Sequence, residues 1–395
     1  MLTDTAGREA TGFEPDGAGD AVVGRYAPSP TGALHLGNLR TALLAWALAR
    51  NAGGRFVLRM EDLDSSRVRP EYAARQLADL EAIGLTWDGP VLWQSQNLER
   101  YRAAFDRLPA HATYECYCTR RELREIGQAP NHAPDVYPGT CRNLTAAQRE
   151  AGREKLSGMN RGPAVRLRCD LDISVQGQPT LPAKPVEGVL AGGTRGSDGP
   201  DAAPGGPDLQ AKPDLRAEPR SHATEAPMLV RRLTVEDGVA GAYTGDVDDF
   251  VIRRGEGAFA YNFVSVVDDA AQGVTEVVRG NDLLPSTPRQ VYLQQVLGLP
   301  TPAYIHVPMV ENMAGIRLQK RDGAVTLADL AKFGWEPGDV VDLLARSLGF
   351  EARSGAEFAA GLAKITADGV AALGTAPWRV DPAALRDGPV AALNR

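Results

Sequence analysis

The chain reads as an α/β protein built on a doubly wound parallel sheet, and three observations carry that reading. Strand-like and helix-like stretches alternate through residues 21–110, the pattern from which parallel sheets with covering helices are made. A rigid turn holding Pro28, Pro30 and Gly32 joins the first strand to the first helix. Two charged residues, Arg25 and Glu61, fall where successive strands end, and ligands of such sheets bind beyond the carboxyl ends of the strands.

Each element has local grounds. Ala21-Val22-Val23-Gly24-Arg25 is a short apolar strand ending in a guanidinium. Leu36, Leu39, Leu43, Trp46 and Ala47 recur at helical spacing, so a helix runs from about Leu36 to Gly53-Gly54. His35 and Asn38 then stand at its N-terminus, where free N–H groups and the macrodipole favour phosphate. Gly37 lets a flat ring approach the backbone. Arg55 to Met60 is a second strand, and Pro70 opens a helix through Tyr72, Leu77, Leu80 and Ile83 that Gly84 closes. Further on, Asp249 to Arg254, a Gly255-Glu256-Gly257 turn and Phe259 to Val267 have the pattern of a hairpin. Val274 to Arg279 is another strand, a helix begins near Pro288 and reaches Leu297, and Ile305 to Val310 is an apolar strand. Short helices follow, among them Val340 to Leu348, stopped by Gly349.

With 395 residues and 43% hydrophobic content the chain can bury one large core and a smaller one. A net charge of −7 argues against a generic polyanion or DNA binder, so contact with nucleic acid needs a local basic face. No run of 18 apolar residues occurs, and the first twenty residues lack the apolar core of a signal peptide; no membrane span and a cytoplasmic location are expected. The expected organisation is a disordered tail (1–20), the first half of the sheet domain (21–110), a cysteine-bearing insertion (111–175), a disordered insertion (176–234), the second half (235–322) and a small helical region (323–395). Of the 59 residues in 176–234, 9 are Pro and 8 are Gly, and no aromatic residue lies between Leu171 and Ala242. Such a segment cannot anchor itself to a core.

Three groups of residues point to chemistry. Arg25 and Arg279 suit bidentate carboxylate binding, Glu61 suits an ammonium group, and Tyr261 adds an aromatic wall with a hydroxyl. Arg317, Lys320 and Arg321 form a basic loop after the apolar strand. Three of the four cysteines cluster: Cys116 and Cys118 stand one residue apart and Cys141 follows about twenty residues later. This spacing fits three corners of a tetrahedral zinc site, with Cys169 and His132 open as candidates for the fourth. Thr119 and Glu122 form a capping box between the two halves.

The run from Gly24-Arg25-Tyr26-Ala27-Pro28-Ser29-Pro30-Thr31-Gly32 to Ala33-Leu34-His35-Leu36-Gly37-Asn38 resembles the signature of class I aminoacyl-tRNA synthetases, in their glutamate branch. Arg59-Met60-Glu61-Asp62-Leu63-Asp64, Phe259-Ala260-Tyr261-Asn262 and Val278-Arg279-Gly280-Asn281-Asp282-Leu283 are similar to that branch too. The resemblance covers residues 21–175 and 237–330. It implies a Rossmann-like catalytic core in which Arg25, Tyr26, Ala27, Pro28, Ser29, Glu61, Tyr261 and Arg279 bind L-glutamate. It also implies that His35, Gly37, Asn38 and Lys320 bind ATP, with His35 and Lys320 as the catalytic pair and magnesium on the triphosphate.

Gly315-Ile316-Arg317-Leu318-Gln319-Lys320-Arg321 looks like a degenerate lysine-serine-lysine loop. Lys320 keeps the second lysine, Arg317 replaces the first, and Gln319 replaces the serine. By the same resemblance Tyr137 is the fourth ligand of one structural zinc beside Cys116, Cys118 and Cys141. The region after the loop is too short for the helical anticodon-binding part of an ordinary glutamyl-tRNA synthetase. That truncation resembles the glutamyl-Q tRNA(Asp) synthetases, which activate glutamate without tRNA and transfer it to the queuosine base of tRNA(Asp). A monomer is expected. The alternatives are a conventional glutamyl-tRNA synthetase and a catalytically inert tRNA-binding protein.

Overall fold

The computed structural model describes residues 21–127, 136–171, 184–185, 229–318 and 325–393. The expected tail, most of the expected 176–234 insertion, His132, Gln319, Lys320 and Arg321 lie outside the described residues.

The chain opens with β1 (Val23–Tyr26), α1 (Leu36–Asn51), β2 (Arg55–Met60), α2 (Pro70–Ala82) and β3 (Leu92–Trp93). Next come α3 (Leu98–Asp106), β4 (Thr113–Cys116), α4 (Arg120–Gly127), α5 (Ala146–Ser157), β5 (Ala164–Leu167) and β6 (Lys184–Pro185). They are followed by β7 (Leu229–Asp237), β8 (Gly241–Val247), β9 (Val251–Arg253), α6 (Tyr261–Ala271), β10 (Glu276–Gly280) and α7 (Thr287–Leu297). The chain continues through β11 (Ala303–Val307), β12 (Val310–Asn312), α8 (Leu327–Ala331), α9 (Pro337–Arg346), α10 (Gly355–Ile365), β13 (Trp378–Val380) and α11 (Pro389–Leu393).

The main sheet runs β3-β2-β1-β10-β11-β7 with every neighbouring pair parallel. Both β6 and β8 add to β7 in the antiparallel sense. From β1 the chain order proceeds outward through β2 and β3 on one side, and from β10 through β11 on the other. The strand order therefore reverses between β1 and β10, and a crevice opens beyond their carboxyl ends. Arg25 and Arg279 stand on these two strands.

Helix α1 explains why its apolar spacing is so dense. Leu36, Leu39, Arg40 and every residue from Ala42 to Ala49 are buried, because the sheet covers one side and the C-terminal helices cover the other. Phe358, Leu362, Trp335 and Leu344 share one core with α1. The C-terminal region is thus helical as expected, but it completes the main core and adds β13 beside β12. Gly24 has a packing reason: a Cβ there would lie 2.8 Å from the Ala49 Cβ, so the strand and helix touch only because the residue is glycine.

Three expectations change. The stretch Phe259 to Val267 is not the second strand of a hairpin: only Phe259 bridges Arg253, and Tyr261–Ala271 is helix α6. Its valines and phenylalanine are buried on several faces of that helix, from Phe263 to Ala270, so tertiary burial overrides their β preference. Residues 229–234 belong to β7 and not to a disordered insertion, since Leu229 to Asp237 pair with Gly241 to Val247 and with β11. The strand expected from Ile305 to Val310 is split, β11 ending at Val307 and β12 starting at Val310.

Candidate active site at the strand-order switch

The turn after β1 is held from two sides. The Glu61 N–H donates to the Pro28 carbonyl at 3.0 Å and the Arg69 N–H to the Pro30 carbonyl at 3.1 Å. From α2, the buried Gln76 amide donates to the carbonyls of Ser29 and Gly32 at 3.1 and 2.7 Å. The turn between β1 and α1 is thereby tied to the end of β2 and to α2. Arg25, Tyr26, Ala27, Pro28, Ser29, Glu61, Tyr261 and Arg279 all line a single cavity of about 560 Å³. His35, Gly37 and Asn38 line the same cavity, as do Asp282 and Arg317. The separate motifs therefore converge.

His35 caps α1 instead of leaving its N-terminus open. Its Nδ1 accepts from the N–H groups of Gly37 and Asn38 at 3.1 and 3.4 Å, and the Asn38 side chain accepts from the His35 N–H at 3.2 Å. The Leu36 N–H goes to the Val325 carbonyl at 2.9 Å. The expected set of free N–H groups is thus already satisfied. What the cap leaves is a defined imidazole: with Nδ1 accepting, a neutral ring carries its proton on Nε2. A Cβ on Gly37 would lie 3.0 Å from His35 Cε1, so glycine leaves room for the ring.

The two arginines are held differently. Arg25 is buried, donates to the Val278 carbonyl at 3.0 Å, and lies 3.5 Å from Asp269. Asp269 also receives Arg59 at 2.8 Å, and Arg59 reaches Glu61 at 3.7 Å. Its neighbour Asp268 takes Tyr101 and Gln94, both at 2.9 Å. Burial opposes ionisation of Asp269, but the Arg59 and Arg25 guanidiniums outweigh it and hold the carboxyl below its ordinary range. Glu61 goes the other way: burial, only partly countered by Arg59 and Arg25, pushes it up to about 7. Arg279 makes hydrogen bonds to neutral acceptors, His306 Nε2 at 2.9 Å, Gln290 Oε1 at 2.7 Å and Thr287 Oγ1 at 2.8 Å. None of these partners is a carboxylate, so its charge stays available to an anionic ligand. At the rim Arg317 pairs with Asp282 at 2.6 Å.

A second group lies at the end of β4. The Sγ atoms of Cys116, Cys118 and Cys141 all lie within 4.8 Å of one another. The Tyr137 hydroxyl stands 3.4 Å from Cys116 Sγ and 3.8 Å from Cys118 Sγ, and Cys118 and Cys141 are 3.6 Å apart. These separations match the edges of a tetrahedron with metal–sulfur bonds of about 2.3 Å. Arg166 stacks on the Tyr137 ring at 3.4 Å. Thiol hydrogen bonds from Cys118 and Cys141, with Arg166 adding its charge, hold Cys116 far below the ordinary thiol range. Cys169 does not join the group: its thiol donates to the Leu229 carbonyl at 3.4 Å. His132 lies outside the described residues.

Sequence reasoning missed Asp269, Arg59, Gln76 and His306, which hold the cavity residues and the turn after β1 in place. Acidic Asp268-Asp269 at the end of a valine-rich run, and a histidine inside the apolar stretch Ile305-His306-Val307, were the available signals.

A strand-order switch with a helix capped by a His-x-Gly-x motif defines a class I nucleotide-activating core. Residues 21–178 and 222–387 match the family described as tRNA synthetases class I (E and Q), catalytic domain. The chain is 49% identical over 332 residues to the glutamyl-Q tRNA(Asp) synthetase of Nocardia farcinica, covering 84% of this chain and 86% of that one. It is 41% identical over 331 residues to the protein of the same name from Cutibacterium acnes, covering 83% and 76%. The glutamate-tRNA synthetase structure from Elizabethkingia anophelis superposes with a TM-score of 0.63 at 21% identity, over 92% of this chain and 68% of that one. The chain belongs to the class I synthetases of the E and Q type, in the family of the glutamyl-Q tRNA(Asp) synthetases.

Burial holds Glu61 at about 7, so its ionised fraction, and with it the attraction it would exert on a ligand ammonium, grows with pH across neutrality. Affinity for L-glutamate should therefore increase as pH rises from about 6 to about 8 and then level off. Calorimetric titrations across that range check this; Glu61→Gln should bind weakly with no inflection near 7, and a flat profile for the unaltered chain contradicts the assignment.

Proposed function

We propose that the chain activates L-glutamate with ATP in the absence of tRNA and transfers the glutamyl group to the queuosine base in the anticodon of tRNA(Asp). The observation that carries the first half is the convergence of Arg25, Glu61 and Arg279 on the cavity that His35 also lines. Two guanidiniums and one carboxylate match the two carboxylates and the ammonium of glutamate. Tyr261 closes the pocket with its ring and hydroxyl, and the turn Tyr26 to Ser29 shapes its floor.

In activation, an α-carboxylate oxygen of glutamate attacks the α-phosphorus of ATP. The bond to the pyrophosphate leaving group breaks, giving glutamyl-adenylate. Positioning and charge stabilisation dominate such a step. His35 donates its Nε2–H to a phosphate oxygen, while Gly37 and Asn38 border the nucleotide. Arg317, which lines the cavity, supplies a cation, and Lys320 supplies a second by the resemblance of its motif. Transfer then forms a bond from a nucleophilic atom of the acceptor base to the acyl carbon; the bond from that carbon to the phosphate oxygen breaks, AMP leaves, and the nucleophile gives up its proton. RNA loops display unpaired bases that are read more easily than a duplex, which suits an anticodon acceptor; the queuosine assignment itself rests on the names of the relatives.

The tetrahedral spacing of Cys116, Cys118, Cys141 and the Tyr137 hydroxyl supports a structural zinc that braces the region between β4 and α5. Among the described residues these cysteines are the only His, Cys, Asp or Glu group placed to share a metal. No carboxylate cage for magnesium accompanies the cavity among those residues, so magnesium comes with the ATP phosphates. The chain works as a monomer in the cytoplasm.

Incubation of queuosine-bearing tRNA(Asp) with the chain, ATP and glutamate should add one glutamyl mass to an anticodon-loop fragment. Charging of tRNA(Glu) in its place would overturn the acceptor, and the absence of glutamate-dependent pyrophosphate exchange would overturn the activation. Metal analysis of the purified chain should return about one zinc per molecule, lost in Cys141→Ser together with a lower melting temperature; a metal-free chain of full stability contradicts the zinc.

A further inference from the structure

Arg279 is anchored through a buried chain of polar groups that runs across neighbouring strands, from β10 through β11 to β7. Its Nε donates to His306 Nε2 at 2.9 Å, and His306 Nδ1 lies 2.6 Å from Asp237 Oδ2. Both His306 and Asp237 side chains are fully buried. The three residues stand on adjacent parallel strands β10, β11 and β7, with Arg279 and His306 in direct register. Protons along this chain have only one arrangement. An arginine Nε–H is never given up, so His306 Nε2 must be a lone pair. A neutral imidazole then carries its hydrogen on Nδ1 and donates it to Asp237. Asp237 stays an acceptor, since it also receives the N–H groups of Val239, Ala240 and His306 at 3.0, 2.8 and 3.1 Å.

We infer that Asp237 and His306 are positioning residues for substrate binding: Asp237 sets the imidazole tautomer, and the lone pair it leaves aims the Arg279 guanidinium into the cavity. The inference rests on the proposed function, and it adds residues that do not line the cavity. Arg279 is a long side chain with many rotamers, and holding it in one of them removes the entropy that glutamate would otherwise lose in ordering it. Thr287 Oγ1 and Gln290 Oε1 fix the two terminal nitrogens from α7. His306 fixes the third, Nε, and so sets the plane of the fork. That plane decides whether both terminal nitrogens can face one carboxylate.

Two substitutions separate the roles of the two ring nitrogens. His306→Asn places an amide near Nδ1, which keeps a donor for Asp237 and loses the acceptor for Arg279. His306→Gln places an amide near Nε2, which keeps the acceptor for Arg279. Pyrophosphate exchange with purified full-length chains should show KM for glutamate about tenfold higher in His306→Asn, the value of one lost hydrogen bond to a charged group. Its kcat and KM for ATP should stay within about threefold, and His306→Gln should recover most of the glutamate KM. Melting temperatures of both variants report on the fold alone. Equal KM for glutamate in the unaltered chain and His306→Asn overturns the inference and leaves the proposed function intact. So does a rise in KM that His306→Gln shares in full, or a loss confined to kcat and melting temperature. An unaltered chain with no glutamate-dependent exchange overturns both.

Discussion

Asp269, buried on α6, meets two guanidiniums at one carboxylate oxygen: Arg59 at 2.8 Å and Arg25 at 3.5 Å. Without that charge the two arginines would repel across a region from which water is excluded. Three elements, β1, β2 and α6, are joined through this carboxylate; β1 and α6 contribute residues to the cavity wall, and Glu61 enters it directly after β2. A buried cluster of this kind is a poor way to gain stability, because desolvation of the ions offsets much of their attraction. Its consequence for the site is positional. Asp269 neutralises much of the arginine charge that Glu61 would otherwise face, and burial then leaves Glu61 near 7. Glu61 is thus placed to exchange a proton for an incoming ammonium, while Arg25 is kept at the cavity by the Val278 carbonyl.

The same logic of fixed donors governs the other walls. Arg279 receives neutral acceptors, so its orientation is set without cancelling its charge. His35 spends one nitrogen on its own helix, which orients the other. Both devices arrange charge and hydrogen before any ligand arrives, and preorganisation of that kind is the main contribution a protein makes to adenylate formation. The reversal of strand order between β1 and β10 is what brings these walls together from opposite ends of the chain.

Much of this was legible in the sequence because local rules agreed with the global fold. Gly24 to Asn38 combined a strand, a proline-stiffened turn and a helix start, and each follows from short-range chemistry. Arg25, Glu61, Tyr261 and Arg279 were identified by their motifs, and they share one cavity. The failures came where partners are distant in sequence. Asp269 lies 210 residues from Arg59, and Asp237 lies 69 from His306, so neither pairing leaves a periodic trace. Helix α6 was read as a strand because a helix buried on several faces loses the polar stripe that marks amphipathic ones. The free N–H groups expected at α1 were taken by His35 itself, a capping use of histidine that residue type alone does not announce.

The central claim is that the Asp269 charge organises the pocket, and Asp269→Asn tests it most directly, since the amide keeps the shape and one acceptor oxygen while removing the charge. Glu61 then becomes the counter-ion of Arg59 and Arg25. Calorimetric titration of the folded variant with L-glutamate should show affinity reduced by at least about tenfold, in keeping with the cost of breaking a buried ion pair. Affinity equal to that of the unaltered chain would contradict the account.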